Sequence, residues 1–172
     1  MTGFDLGDPL RWRETLPSRQ PASSEMAAGA VAGIVAGLVA WGAATLALTG
    51  ERGGTYTLRL VAATLFGERA VAPDNVVIPV VVGGLLAGFA SVVYGLVFVS
   101  ILRPATRPVR AVLAGAVYGA VLYVPAWLFF VHVFDPLLYQ ASDGRGALVL
   151  ALHALYGATL GLIVPFLRKI LP

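Results

Sequence analysis

Charge avoids four long windows of this chain. Aspartate, glutamate, lysine and arginine are absent between Glu25 and Glu51, Asp74 and Arg103, Arg110 and Asp135, and Arg145 and Arg168. Each window exceeds the roughly 20 apolar residues that an α-helix needs to cross about 30 Å of hydrocarbon. The pattern predicts an all-α membrane protein, a bundle of four transmembrane helices over residues 26–49, 76–102, 111–133 and 146–167, behind an N-terminal segment 1–25. The domain proper is then 26–172.

The polar stretches between these windows carry weaker signals. In 8–17, Leu10, Trp12 and Leu16 stand among arginines, which suits either a short interfacial helix or an unstructured tail with a tryptophan near the headgroups. The longest loop, 50–75, holds an amphipathic stretch from Thr55 to a glycine stop at Gly67. Its apolar positions are Leu58, Val61, Ala62 and Leu65, so a helix there lies flat on the membrane or caps the bundle. Pro125 should bend the third span by freeing the carbonyl of Val121. Phe134-Asp135-Pro136 ends that span, 137–145 form a short loop, and the fourth span stops near Pro165.

Small residues recur every four positions within the spans. Gly29, Gly33 and Gly37 form one stripe in the first span, with Ala32, Ala36 and Ala40 beside it. The second has Gly84 and Gly88, and on another stripe Ala87, Ser91 and Gly95. The third has Ala111, Gly115 and Gly119, and the fourth His153, Gly157 and Gly161. Residues four apart share a helix face. In lipid, such faces let backbones approach so that van der Waals contact holds helices together. Laying Gly33/Gly37 on Gly115/Gly119 also sets Trp41 on Tyr123, and laying Tyr94-Gly95 on Tyr156-Gly157 sets Ser91 on His153. The chain reads as a duplicated helical hairpin, a parallel repeat rather than the inverted kind common in secondary transporters.

Composition sharpens this picture in two ways. At 58% hydrophobic and 12% charged, the 172 residues do not fit a soluble domain. The net charge of +3 reflects topology rather than nucleic-acid affinity. Eight basic residues (Arg11, Arg13, Arg19, Arg103, Arg107, Arg110, Arg168 and Lys169) fall on one side, against Arg52, Arg59, Arg69 and Arg145 on the other. The positive-inside rule then puts both termini in the cytoplasm, which for a bacterial protein means the inner membrane. Acids and prolines before the first apolar run argue against a cleavable signal peptide. With no cysteine, thiolate metal sites and cysteine nucleophiles are excluded.

The last span contains the run Leu152, His153, Tyr156, Gly157 and Gly161. With the glycine-rich first and third spans and the amphipathic loop, it resembles a widespread family of small four-span bacterial and archaeal membrane proteins. That family carries a Leu-His-x-x-Tyr-Gly-x-x-x-Gly motif in its last span and has no assigned reaction. The resemblance covers about residues 26–167 and implies an architecture without implying an activity. Members often carry a related histidine in span two, where this chain has Ser91.

His153 lies roughly 10 Å inside its span at 1.5 Å per residue, and ionisable groups at such depth are functional candidates by default. The alternatives are a neutral histidine bonded to Ser91, Tyr94 or a backbone carbonyl, a ligand to haem or metal, and a contact for substrate or a proton. His132, three residues before Asp135, suits a local hydrogen bond at the membrane interface. The two histidines could meet one haem if the helices tilt. Tyr94, Tyr118, Tyr123 and Tyr156 could line a polar seam. No carboxylate stands inside a span, which disfavours ion-coupled carriers, and no phosphate loop, zinc motif or nucleophile elbow is present, so no enzyme is expected. The leading expectation is an accessory or structural subunit that packs on other membrane helices or on itself. A small oligomeric transporter or channel is the alternative, and a haem protein using His153 and His132 is the third.

Overall fold

The structure, a computed structural model, describes residues 23–48, 53–74, 76–101 and 108–171. The segment 8–17 and the loop arginines Arg103 and Arg107 lie outside these. Among the described residues the chain is helical, without strands. Helix α1 spans Ser23–Leu48, α2 Tyr56–Phe66 and α3 Val77–Ile101. Helix α4 spans Pro108–Tyr123 and continues through a π-helical stretch Val124–Val131 to a final turn His132–Phe134. Helix α5 spans Pro136–Ala141 and α6 Gly146–Ile170. Four segments are long and apolar enough to cross a membrane: Ser23–Ala47, Val77–Ile101, Pro108–Phe134 and Gly146–Ile170.

Glycine decides how these helices pair. Helix α1 packs on α3 and on α6, and α4 packs on an adjoining face of α6. A Cβ added at Gly33 would land on the Ser91 carbonyl, and one at Gly95 on the Gly29 carbonyl. In the second hairpin a Cβ at Gly115 would land on the Gly157 carbonyl, and one at Gly119 on the His153 carbonyl. Gly37 faces the Ser91 side chain and Gly119 the His153 carbonyl, so each hairpin closes with glycines against its second helix, though through different atoms. The alanine stripe of α1 serves a different neighbour. Ala32 and Ala36, fully buried, join a core with Tyr156, Leu160 and Val164 of α6 and Phe98 and Val99 of α3. The outward faces stay apolar, with Leu38, Leu85 and Phe89 each about 70% exposed.

The sequence reading needs correction at several points. A Cβ at Gly84 or Gly88 would meet nothing within 4 Å among the described residues; it is Gly83 that receives α2, at the Leu58 carbonyl. The buried face of α2 is Thr57, Leu60, Ala62 and Ala63, leaving Leu65 62% exposed, because α2 lies across α3 rather than flat on its most apolar stripe. Gly67 does end α2, at φ 57°. Pro125 shifts α4 into π-helical bonding over Val124–Val131, one way for a later N–H to serve a carbonyl that the proline leaves free. Pro165 does not end α6, which runs on to Ile170. One missing N–H costs a single bond, and buried Val164 with half-buried Leu167 holds the last turns to the core. Residues 137–145 are no plain loop: Asp135 caps α5 with its side chain, accepting from Leu138 N–H at 3.1 Å, and Pro136 opens the helix.

Helices α2 and α5 together roof one end of the four long helices. The other end carries Ser23 and Ile170, where Arg168 of α6 stands 3.8 Å from Glu25 of α1.

Candidate functional site

Beneath the roof the four long helices leave a cavity of about 520 Å³. It exists because the hairpins join unequally. Helices α1 and α6 meet closely through small residues, whereas α3 and α4 are bridged lower down by large side chains. The Tyr118 hydroxyl of α4 donates to the Tyr94 carbonyl of α3 at 2.7 Å, and the Tyr118 ring sits edge-on to Phe98 with centroids 5.1 Å apart. Past that bridge α3 and α4 stand apart, and Phe89 of α3 and Phe130, both exposed, line the cavity.

Four of the five side chains singled out from sequence line this space: His153, Ser91, Tyr94 and Tyr156. Tyr156 is buried and donates to the Ser91 carbonyl at 2.7 Å, so its hydroxyl ties α6 to α3. It meets the Tyr94 ring edge-on at 6.4 Å. Ser91 spends its own hydroxyl on the Ala87 carbonyl of its helix, at 2.8 Å.

His153 does not reach across to Ser91 or Tyr94. Its Nδ1 lies 2.9 Å from the Val149 carbonyl, one turn back on α6. A carbonyl can only accept, so Nδ1 carries a hydrogen, and Nε2 is an acceptor whenever the ring is neutral. No partner for Nε2 occurs among the described residues. Tyr123 and Trp127 of α4 hold the ring edge-on, with centroids at 5.6 and 6.3 Å.

The fifth, His132, is elsewhere. It is exposed, stacks edge-on with Tyr139 at 4.5 Å, and does not line the cavity. Asp135, its expected partner, instead accepts from Leu138 N–H and from the Thr64 hydroxyl, the latter at 2.8 Å. The residues present therefore do not bring two histidines to one haem in this cavity, and no group of three metal-ligating side chains occurs among the described residues.

The roof supplies polar groups that the sequence reading did not single out: Thr57 and Thr64 of α2, and Asp135. Asp135 is 2% exposed, and it makes no ion pair among the described residues. Burial pushes its pKa up, while the bonds from Leu138 and Thr64 pull it down; burial prevails. Thr57 is 1% exposed and its hydroxyl has no partner among the described residues. The signal for Asp135 was available as an Asp-Pro helix start, whereas Thr57 offered none, since nothing in an amphipathic loop reveals which face turns inward. The chain matches no family model, no curated protein and no solved structure.

Proposed function

We propose that this chain is an integral membrane protein that serves as an accessory subunit, seating a transmembrane helix of a partner protein against α3. In this reading it is a bundle in the bacterial inner membrane with both termini in the cytoplasm, and it belongs with the small four-span proteins that its Leu152-His153-Tyr156-Gly157-Gly161 motif resembles. The observation that carries the reading is the open face of α3. Among the described residues a Cβ at Gly84 or Gly88 would meet nothing within 4 Å, and Val77, Val81 and Leu85 beside them are 55–72% exposed. The other stripes are consumed inside the chain, so this one is spare. A groove of glycines walled by aliphatic side chains is the surface on which a second helix gains most contact in lipid.

Blue-native electrophoresis of native membranes tests this. The protein is expected in an assembly with a second polypeptide, and Gly84→Leu with Gly88→Leu should release it without loss of its own fold. Migration as a lone monomer, or as a complex of this chain alone, would overturn the accessory reading.

A further inference from the structure

The roofed cavity has a chemistry of its own, independent of the α3 face. Its volume of about 520 Å³ falls within the range of roughly 300–1,000 Å³ typical of small-molecule sites. Aromatic side chains contribute heavily to its lining: Trp41, Phe89, Tyr94, Trp127, Phe130 and Tyr156. Rings in that number suit an apolar body, and their π faces favour a cation over an anion.

Hydrogen bonding alone does not choose a head group for this space. The Ser91 hydroxyl is spent on the Ala87 carbonyl, the Tyr156 hydroxyl on the Ser91 carbonyl and the Thr64 hydroxyl on Asp135. The Thr57 hydroxyl is sealed off and faces no ligand. His153 lines the cavity, and its Nε2 keeps accessible surface without a partner among the described residues. Tyr94 brings a hydroxyl to the lining, and Trp41 and Trp127 bring indole N–H groups. Such a set could serve an alcohol, a carbonyl or an amine.

Charge does choose. Asp135 is the one carboxylate in the lining, and no lysine or arginine joins it there. Both its oxygens accept a hydrogen, Oδ1 from Leu138 N–H and Oδ2 from the Thr64 hydroxyl. Those donors are neutral, and no cation pairs with Asp135 among the described residues. A buried carboxylate without a counter-ion costs free energy. A cation anywhere in the same hollow offsets part of that cost, because coulombic attraction falls only as the inverse of distance. The same field disfavours a carboxylate or phosphate head and is nearly indifferent to a hydroxyl.

We propose that the cavity beneath α2 and α5 binds a lipophilic organic cation, an ammonium on a compact apolar body, held by the rings of the wall and by the charge of Asp135. When its ring is neutral, His153 adds Nε2 to the lining as an acceptor for an ammonium N–H.

Trp41 and Trp127 line the cavity and report on its contents, because a nitroxide quenches an indole that it touches. With Trp12→Phe as the background, the full-length protein in a nonionic detergent near neutral pH is titrated with three probes that share one body: the amino, hydroxy and carboxy derivatives of the nitroxide TEMPO. The amine is expected to give saturable quenching that aminoadamantane, which carries no nitroxide, reverses. Its apparent affinity should exceed that of the alcohol about tenfold, and that of the acid by more. Asp135→Asn, which keeps an oxygen for Leu138 N–H, should remove the advantage of the amine and leave the alcohol where it was. A merely structural role for Asp135 would instead weaken both probes together. Ala126→Phe, a large side chain set into the wall, should abolish saturable quenching by the amine. The assignment is overturned by an absence of saturable quenching, by equal affinity for amine and alcohol, or by preference for the acid. It is overturned equally by an amine preference that survives Asp135→Asn, by a loss common to both probes in that variant, or by amine binding unchanged in Ala126→Phe. The order of the three head groups is read with every cavity residue native, so it decides the matter even where a variant fails to fold.

Discussion

Whether a glycine in this chain matters depends on what its absent Cβ would touch. At Gly119 that atom would meet the His153 carbonyl, and at Gly157 the Gly115 carbonyl, both of them backbone that cannot swing aside. At Gly88 it would meet open space. Alanine gains up to about 1 kcal/mol over glycine in helix propensity, but overpacking costs about 1–3 kcal/mol and more where two backbones collide. Gly119→Ala is therefore expected to lower the melting temperature in detergent by several degrees, and Gly88→Ala to leave it level or slightly higher. A differential scanning measurement on the two variants decides this, and equal effects would mean that the helices do not pair as described. The four-residue spacing in the sequence identified both positions as packing glycines. Spacing specifies a face; it does not say which faces find a neighbour, since that depends on how the helices are arranged around one another.

The roof shows a similar limit for whole elements. Amphipathic character in 55–67 announced α2 and its glycine stop, but not the rotation that buries Thr57 and Ala63 and exposes Leu65. That rotation follows from Gly83 of α3, which lets the Leu58 carbonyl close in, and from Thr64 reaching Asp135 across 71 positions of sequence. Asp135 makes the roof sensitive to pH. Burial raises its pKa above the ordinary 3.8, so the folded state holds the proton more tightly than the unfolded one. Between those two pKa values the native protein binds more protons, and stability falls as pH rises through that interval. Asp135→Asn keeps an oxygen for Leu138 N–H and offers Thr64 a donor, without the charge. The melting temperature of the native protein should decline relative to this variant as pH rises from just below 3.8, and the two should run parallel at lower pH, where both side chains are neutral. A difference that grows as pH falls would show that the hydrogen bonds outweigh burial.

At the level of the whole molecule, two closures of unequal kind explain both the stability and the hollow. Each hairpin is sealed by glycine against backbone, and the hairpins join on one side through alanine and leucine, on the other through tyrosine. Small residues draw helices together and large ones hold them apart, so the second join leaves space above it. The glycine stripes of Gly33/Gly37 and Gly115/Gly119 were visible in sequence; the asymmetry was not, because it arises where Tyr118 of the second hairpin meets Tyr94 of the first, between the hairpins rather than within them. The same architecture constrains orientation in a membrane. In the proposed topology the Glu25–Arg168 end faces the cytoplasm, as the excess of arginine and lysine near it predicts, and the α2–α5 roof lies on the opposite side. With no native cysteine to confuse the result, Asp143→Cys and Lys169→Cys form a clean pair, one exposed at each end of the bundle. In intact cells an impermeant maleimide should label the first and spare the second until the membrane is opened. Labelling of Lys169→Cys alone would invert the topology, and labelling of both in sealed cells would mean that the helices do not cross the bilayer as four.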